Sequence, residues 1–239
     1  MIDCVSVDNM RRSDAYTIAN LVSGLELIRR AAYGVYRSVE WKGAVAIVAG
    51  SGNNGADGFA LACILKERGI SADVFTVSER LHADCAAYAE MAAAVGVSIK
   101  PYQAECLCSY DIIVDCMLGT GFCGPLRDRY RTAIEEINAS RAYVVSVDIN
   151  SGMNGDGGEA EAAVRSDLTV TIGFVKKGLI TDNAAKYIGH LVCVDIGIVL
   201  LETEDYICTP DEWDCLHTDG NRYRLCPAYL DMEIKRYKE

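Results

Sequence analysis

Short apolar runs recur along the first two hundred residues, and segments with the spacing of an amphipathic helix separate most of them. The runs predict strands at 44–48, 72–77, 111–115, 143–147, 168–172 and 191–195. The spacing between them predicts helices at 58–69, 80–95, 127–138 and 177–186. Strands that alternate with helices form a parallel sheet with helices on both faces. The pattern therefore predicts an α/β protein with a mostly parallel central sheet.

Helical spacing also runs through residues 8–38, ahead of the first predicted strand. One face of this segment is apolar and carries Leu25, Ile28, Ala32 and Val35. Ser23 followed by Glu26 has the form of a capping box, which predicts that a second helix starts within the segment.

The periodic pattern fades after residue 200. We therefore expect one domain over residues 1–200 and an irregular or lightly helical C-terminal extension over 201–239. Three cysteines and a histidine of this extension could bind a metal, although their spacing is irregular for zinc. These residues are Cys208, Cys215, Cys226 and His217.

Three predicted strands are followed by loops rich in glycine and in oxygen-bearing side chains. The loops span residues 50–58, 115–124 and 148–152. Parallel sheets bind ligands beyond the carboxyl ends of their strands, so the three loops should meet at one edge of the sheet. A ligand site is therefore predicted at that edge.

The first of these loops has the composition of an anion-binding turn. Gly50, Gly52 and Gly55 permit positive φ and close backbone approach, while Asn53 and Asn54 offer both donors and acceptors. The turn leads into a helical pattern, and backbone amides at a helix N-terminus bind phosphate.

The same loop also matches the dinucleotide-binding fingerprint, as GSGNNG at 50–55. Glu79 follows the next predicted strand, where a ribose-binding carboxylate is expected. An NAD-dependent oxidoreductase is therefore one interpretation. No Lys-Ser or Lys-Thr pair follows the glycines, which disfavours a phosphate-loop nucleotide triphosphatase.

Net charge and cysteine content limit the classes of binding partner and the cellular compartment. The formal net charge of −11 over 239 residues argues against nucleic acid or an anionic membrane as a partner. The sequence carries neither a signal peptide nor a run of about 18 apolar residues, so a cytoplasmic protein is expected. The 11 cysteines are odd in number and form no Cys-x-x-Cys pair, so we expect most to be reduced.

In the order and spacing of five motifs, the chain resembles the NAD(P)H-hydrate epimerase family, also called the YjeF N-terminal domain. The motifs are NNGADG at 53–58, VDCMLGTG at 114–121, VDINSG at 147–152, TVTIGFVKKGL at 169–179 and DIGI at 195–198. The resemblance covers roughly residues 8–199.

This resemblance implies a three-layer αβα, Rossmann-like fold and an isomerase of nicotinamide cofactor repair. Such an enzyme interconverts the R and S forms of hydrated NADH and NADPH (NADHX and NADPHX), which carry an added hydroxyl at C6 of the nicotinamide ring. The dehydratase of the pathway uses only the S form. No dehydratase domain is expected in this chain, so either a separate NAD(P)H-hydrate dehydratase is its functional partner or the chain is part of a longer bifunctional protein. A homodimer through the N-terminal helices is also implied.

The resemblance further implies which residues bind the substrate and a potassium ion. The substrate would contact Asn53, Asn54, Gly55, Ala56, Asp57, Gly119, Thr120, Gly121, Phe122, Cys123, Gly124, Pro125 and Asp148. Potassium would be held by Asn54, Asp115 and Ser151 together with backbone carbonyls. Such an all-oxygen ligand set suits a hard cation.

The chemistry of the hydrate suggests proton transfer as the catalytic task. The lone pair on the ring nitrogen can expel the C6 hydroxyl, and water that returns to the opposite face gives the other epimer. Asp148 is the first candidate for the acid/base role, with Asp57 or Lys176 as a second group. Lys177 is expected at the surface.

Three residues depart from the family pattern, and one of them is Arg29, in a first-helix segment where the family often has an acid. Ala56 stands where a glycine is usual, which would strain the turn if positive φ were needed there. Asn150 stands where proline is usual, so a less rigid third loop is expected. A non-catalytic binding module of the same fold is a further interpretation.

Overall fold

The computed structural model describes residues 3–206 and 223–226, which form eleven strands and five α-helices. The strands are β1 (Asp3–Val5), β2 (Val45–Ala49), β3 (Ala72–Thr76), β4 (Ser98–Pro101), β5 (Ile112–Cys116), β6 (Tyr143–Val147), β7 (Ser166–Ile172), β8 (Val175–Lys176), β9 (Ile188–Val194), β10 (Asp205–Tyr206) and β11 (Tyr223–Cys226). The helices are α1 (Val7–Asn20), α2 (Gly24–Ser38), α3 (Asn53–Glu67), α4 (Ala83–Ala94) and α5 (Asp128–Ala139).

The central sheet has the strand order β11-β9-β7-β6-β5-β2-β3-β4, and every pairing in it is parallel. A small sheet of order β10-β1-β8 lies beside it. From β2 the chain adds β3 and β4 on one side, whereas β5, β6, β7 and β9 follow on the other. The order therefore reverses between β2 and β5, where a parallel sheet opens a crevice for ligands.

Alternate residues of the strands enter two separate apolar cores, one on each face of the sheet. On β2, Val45 and Ile47 pack in the core that contains residues of α2, α3 and α4. Ala46 and Val48 pack in the core that contains residues of α5. The prediction of a mostly parallel sheet in a three-layer αβα arrangement is thus confirmed, and all six predicted strands are present.

The N-terminal segment forms two helices, as the capping box predicts. Ser23 is the N-cap of α2, and its side chain accepts a hydrogen bond from the backbone N–H of Glu26. Ser6 caps α1 in the same way, because its side chain accepts from the backbone N–H of Asn9.

The predicted helix at 177–186 is wrong. Only a short 3₁₀ turn forms, at Lys177–Ile180, followed by turns up to β9. Its apolar residues Leu179 and Ala184, with the adjacent Tyr187, are buried in a third core cluster with residues of neighbouring loops. A Cβ on Gly178 would lie 2.5 Å from the backbone oxygen of Asn154, so this segment is packed against another loop. Loop packing, rather than a helical face, explains the apolar spacing.

Beyond residue 200 the described residues form strands where an irregular or lightly helical extension was expected. β10 pairs antiparallel with β1, and β11 adds to the edge of the central sheet beside β9. Cys208, Cys215 and His217 lie outside the described residues. Within the described part of the chain, no helix is long and apolar enough to span a membrane.

Candidate active site

A cleft of about 660 Å³ lies at the reversal point of the central sheet. Its walls come from the loops that follow β2, β5 and β6, from α1 and α2, and from β8. The predicted site residues that line it are Asn53, Asn54, Asp57, Gly119, Thr120, Gly121, Phe122, Cys123, Pro125, Asp148 and Lys176. The predicted residues that do not line it are Gly55, Ala56, Asp115, Gly124 and Ser151.

The glycines of the first loop serve close packing rather than positive φ. A Cβ on Gly50 would lie 1.9 Å from the backbone oxygen of Met117, and one on Gly55 would lie 2.2 Å from the oxygen of Gly50. Gly50, Gly52 and Gly55 are not among the described glycines with positive φ, so that expectation is wrong. The missing side chains bring the loops after β2 and β5 into backbone contact.

The first loop is also shorter than expected, because α3 begins at Asn53 rather than near residue 58. Ala56 lies in the first turn of this helix without positive φ, so its replacement of glycine introduces no strain. The N-cap residue Gly52 provides no side-chain hydrogen bond to the helix. The first amides of α3 therefore keep their capacity to bind an anion in the cleft.

Two polar side chains in the first turns of α3 are buried at the cleft. Asn54 is 7% exposed, and neither atom of its amide has a hydrogen-bond partner within the described residues. Asp57 is also buried. Desolvation, followed by repulsion from Asp148 and Asp14, raises the pKa of Asp57 well above its usual range, while Lys176 acts to lower it. Asp57 therefore favours the protonated form.

Asp148 is held at the end of β6 by a backbone turn in the left-handed region. Its φ is 69°, a conformation that aspartate tolerates better than most residues. The backbone N–H of Asp148 donates to the oxygen of Val170 at 2.8 Å, which anchors the turn to β7. One carboxylate oxygen accepts from the backbone N–H of Thr120 at 3.2 Å. The other accepts from the ammonium of Lys176.

The Lys176 side chain is only 1% exposed and points into the protein from β8. Its ammonium donates to Asp148, to the hydroxyl of Thr171 at 3.1 Å and to the backbone oxygen of Ile172 at 2.6 Å. These three bonds use all three donors of the group. Lys177, expected at the surface, instead pairs with Glu204 at 2.6 Å and is about one-third exposed.

The second loop lies against Asp148. A Cβ on Gly119 would come within 2.8 Å of a carboxylate oxygen of Asp148 and 3.4 Å of the Cβ of Asn54, so only glycine fits between these two side chains. Arg11 of α1 donates to the backbone oxygen of Thr120, which fixes the loop from the other direction. Gly124 has positive φ and lines a smaller neighbouring pocket of about 320 Å³.

Asp115 and Ser151 form a buried network beneath the cleft. Asp115 accepts from the Ser151 hydroxyl at 2.5 Å, the Ser151 N–H at 2.9 Å, the Met117 N–H at 3.2 Å and the Ser146 hydroxyl at 3.0 Å. Desolvation raises the pKa of Asp115, and these hydrogen bonds oppose that rise. Ser151 in turn accepts from the backbone N–H of Leu118 at 2.8 Å. The network ties the ends of β5 and β6 together.

Asn150 makes the third loop rigid, contrary to the expectation of a looser turn. Its side chain is fully buried. The amide nitrogen donates to the oxygens of Val164, Ser166 and Tyr187 at 2.9–3.0 Å. The amide oxygen accepts from the hydroxyl of Thr169 at 2.7 Å. These bonds replace the stiffness that a proline would provide.

Several residues that line the cleft were absent from the predicted site, among them Asp14, Arg11 and His82. Asp14 and Arg11 lie on α1, and His82 precedes α4. Met10, Asp14 and Ile18 all line the cleft, which is the spacing of one helix face. An acid between two apolar residues on that face is the signal that could have found Asp14. Glu79, the ribose-binding candidate, is exposed and lies 3.7 Å from Arg129, outside the cleft.

The model of the family described as YjeF-related protein N-terminus matches residues 24–178 of the chain. The chain belongs to this family. The match contains the loops after β2, β5 and β6 and reaches Lys176, so the family's shared segment includes most of the cleft. Asp14 and Arg11 of α1 lie before the matched residues.

Relatives of this YjeF-related domain include proteins of similar length. The chain is 33% identical over 198 residues to the NAD(P)H-hydrate epimerase of Limosilactobacillus fermentum, an alignment that covers 80% of the chain and 95% of that protein. It is 37% identical over 187 residues to the NAD(P)H-hydrate epimerase of Rhodopirellula baltica, covering 74% of the chain and 77% of that protein.

Other relatives of the YjeF-related family are longer. The chain is 38% identical over 194 residues to the bifunctional NAD(P)H-hydrate repair enzyme Nnr of Archaeoglobus fulgidus, covering 80% of the chain. The alignment spans only 40% of the length of that relative. The crystal structure of the yeast protein YNL200c has the same fold, with a TM-score of 0.66 and 22% identity over 74% of the chain and 83% of the yeast chain.

Proposed function

We propose that this protein is an NAD(P)H-hydrate epimerase that interconverts the R and S forms of NADHX and NADPHX. The observation that carries the proposal is the Asp148–Lys176 pair at the end of β6, in a cleft that also holds the N-terminus of α3. The names of the full-length relatives support the same reaction. The fold and the glycine-rich loop suit a dinucleotide, whose pyrophosphate would meet the first amides of α3.

The reaction would proceed by loss and return of the C6 hydroxyl. The lone pair of the ring nitrogen expels the hydroxyl, which takes a proton and leaves as water. A planar cation then accepts water on its opposite face, and the added water loses a proton. Asp148 is suited to exchange these protons because its carboxylate borders the cleft and is held by two fixed donors, Lys176 and the Thr120 N–H. The acidic side chains of the cleft would stabilise the cation.

Lys176 acts in this account as a positioning residue. Its three donors are all used, so it has no free N–H with which to protonate a leaving group. Its ammonium donates to Asp148 and fixes the orientation of the carboxylate that accepts a proton from water. Asp57 favours the protonated form and is a candidate for the proton donor.

We further propose that the protein binds a potassium ion, as the family resemblance implies. Of the three proposed ligand residues, Asn54 suits a cation as it stands, whereas Asp115 and Ser151 would need to rearrange. The carbonyl oxygen of Asn54 is a buried acceptor without a partner in the described structure, which a cation would satisfy. Asp115 and Ser151 fit once the Ser151 hydroxyl turns away from Asp115, because four donors already occupy that carboxylate. A bound potassium ion would supply positive charge that orients these oxygens beside the substrate.

An NAD-dependent oxidoreductase has less support, since Glu79 is exposed outside the cleft. The oxidoreductase interpretation also gives the Asp148–Lys176 pair no role in the reaction. A non-catalytic module has less support because a buried, unpartnered amide such as that of Asn54 is costly without a ligand.

The proposed setting is a cytoplasmic homodimer that works with a separate NAD(P)H-hydrate dehydratase. Exposed apolar side chains support a dimer contact, namely Tyr16 and Leu25 on the first two helices and Leu21 between them. The unbridged thiols of Cys63, Cys85 and Cys116 support a reducing compartment. The fusion of both activities in the bifunctional relatives supports coupling to the dehydratase.

A coupled assay tests the proposal. R-NADHX is mixed with an S-specific dehydratase, and NADH recovery is followed with and without the protein. Recovery faster than spontaneous epimerisation supports the epimerase. Recovery at the spontaneous rate, at any protein concentration, would rule it out. The Asp148→Asn variant should lose the acceleration, and the exposed-site variant Asp156→Asn serves as its control.

A further inference from the structure

Asp14 is an acid of the cleft to which no role has been assigned. It lies on α1, outside the matched family segment, and lines the cleft together with Asp57, Asp148 and Lys176. Its carboxyl group makes no hydrogen bond or ion pair with the residues that the structure describes. A half-buried acid with no structural partner is available to a ligand.

The α1 helix that carries Asp14 is fixed in place by polar contacts along its buried face. The side chains of Ser13 and Thr17 accept hydrogen bonds from the backbone N–H groups of Leu201 and Val199 at 3.1 and 3.0 Å. Asn9 donates to the oxygen of Glu202 at 2.6 Å. These hydrogen bonds fix the helix against the segment that follows β9. Asp14 is therefore held beside the cleft on a rigid helix.

The proposed reaction needs two proton-transfer groups. The hydroxyl leaves from one face of the ring with a proton, and water adds to the other face and loses one. Because the reaction is reversible, the acid of one direction is the base of the other. Asp148 can fill one of these roles, and the other must come from a different side chain that borders the cleft.

The other ionisable groups beside Asp148 suit the second role less well. All three donors of Lys176 are committed to hydrogen bonds. Asp57 is only 9% exposed, whereas Asp14 is half-buried and more open to the cleft. Asp14 also reaches the cleft from a helix, while Asp148 reaches it from the end of a strand, so the two carboxyl groups approach from different elements.

We propose that Asp14 is the second proton-transfer group of the epimerase, acting in alternation with Asp148. This inference rests on the proposed function. In one direction the Asp14 carboxyl gives its proton to the C6 hydroxyl, the C6–O bond breaks, and the nitrogen lone pair forms a C6–N1 double bond. Water then bonds to C6 on the opposite face, the double-bond electrons return to N1, and Asp148 takes the proton. The reverse reaction starts with the proton on Asp148.

The electrostatic environment of Asp14 favours the protonated form with which the proposed reaction starts. Desolvation, followed by the charge of Asp148, raises the pKa of Asp14, while Lys176 acts to lower it. The charge of Asp148 therefore favours the protonated form of Asp14. Within the described residues, the other charged or titratable groups that line the cleft are Arg11 on the same helix, Asp57, His82, Asp84, Cys123, Arg127 and Tyr130.

The test compares three variants of the full chain in the coupled assay: Asp14→Asn, Asp14→Glu and the control Asp8→Asn. Asp8 lies on the same helix, is 80% exposed and pairs with Arg12. We expect Asp14→Asn to lower kcat about 100-fold or more with a smaller change in KM, in line with the usual contribution of general acid–base catalysis. Asp14→Glu should recover part of this loss, and Asp8→Asn should match the parent.

The pH profile separates a proton-transfer role from a structural one. In the direction that starts with the proton on Asp14, activity of the parent should fall at alkaline pH as Asp14 loses its proton, and the residual activity of Asp14→Asn should lack this fall. An Asp14→Asn variant that keeps kcat within threefold of the parent, or keeps the alkaline fall, would overturn the inference. The same holds if Asp14→Glu shows no recovery while its unfolding midpoint equals that of the parent.

The activity of the parent protein distinguishes a failure of the proposed function from a failure of the role assigned to Asp14. A parent that does not accelerate epimerisation overturns the proposed function and this inference with it. A parent that accelerates epimerisation while Asp14→Asn does so equally well leaves the proposed function standing and overturns only the role of Asp14.

Discussion

The ammonium of Lys176 donates to the carboxylate of Asp148, although the first residue lies on a strand of the small sheet and the second follows a strand of the central sheet. Lys176 pairs along β8 with Val5 of β1, which places the small sheet against the cleft. The central sheet and the small sheet are therefore both needed to form this ion pair. Its partners are 28 residues apart in the sequence.

The first prediction concerns this ion pair. Lys176→Met removes the ammonium that holds the Asp148 carboxylate in place, so we expect activity to fall about 100-fold, by analogy with the loss of a general acid or base. It also leaves a partly buried carboxylate unpaired, at a cost of about 3 kcal/mol. Urea unfolding and the coupled assay measure both effects. Lys42→Met, at a side chain 76% exposed, is the control, and equal losses in both variants would contradict the prediction.

Asn54 and Asn150 should respond to truncation in opposite ways. Asn54→Ala removes an amide with no partner in the described structure, so we expect the free energy of unfolding to stay level or rise by about 1 kcal/mol. Asn150→Ala removes four hydrogen bonds and leaves buried groups unsatisfied, so we expect a loss of about 3 kcal/mol. Urea titrations of both variants measure this contrast.

Substrate and potassium binding should depend on the side chain of Asn54 and not on that of Asn150. We expect Asn54→Ala to raise KM although it does not lower stability. Potassium chloride should raise the unfolding temperature of the parent above its value in sodium chloride, and this difference should vanish in Asn54→Ala. A variant with parental KM and a parental response to potassium would show that Asn54 binds neither ligand.

Ionisation of Asp57 should make the free energy of unfolding depend on pH. Its pKa in the folded protein is raised well above the ordinary value of 3.8, so the stability that it contributes is complete below that value and is lost as pH rises through the folded pKa. We expect Asp57→Asn to be more stable than the parent at neutral pH and to show a weaker decline with rising pH. Unfolding free energies across acidic to neutral pH measure this, and parallel curves would contradict it.

Glu204 should produce the opposite dependence. Desolvation acts to raise its pKa, but hydrogen bonds from Lys177, Ser6 and Asn9 outweigh this and lower the pKa from 4.5 to about 2. Its contribution to stability is therefore present above pH 4.5 and is lost as pH falls towards 2. Glu204→Gln should destabilise the protein at neutral pH but not at the acid end of this window. Glu40→Gln, at a side chain 80% exposed, is the control.

The main strands and helices could be predicted because their patterns are local. Val45–Ala49 and Tyr143–Val147 are apolar runs of strand length, and Ser23 and Glu26 carry the capping signal within one helical turn. The short strands β1 and β8 could not be predicted, since each has too few residues for a period to appear. Their pairing is a long-range contact.

The candidate site was predictable where a motif and a strand end coincide. Asn54, Asp57 and Asp148 lie at such positions and line the cleft. The backbone approach that Gly50 permits, and the hydrogen bonds that fix Asn150, depend on partners from distant segments, which no local pattern reveals. Asp14 was missed because the apolar face identified within residues 8–38 belongs to α2, whereas Asp14 lies on α1.

The most direct test of the account follows the oxygen atom of the C6 hydroxyl. R-NADHX is incubated with the protein in water labelled with heavy oxygen, and the S-NADHX that forms early is separated and analysed by mass spectrometry. Expulsion of the hydroxyl predicts one heavy oxygen in each newly formed S molecule, at a rate that Asp148→Asn abolishes. Rapid formation of S-NADHX that retains the original oxygen would contradict the account, because it would require cleavage of the C6–N1 bond instead.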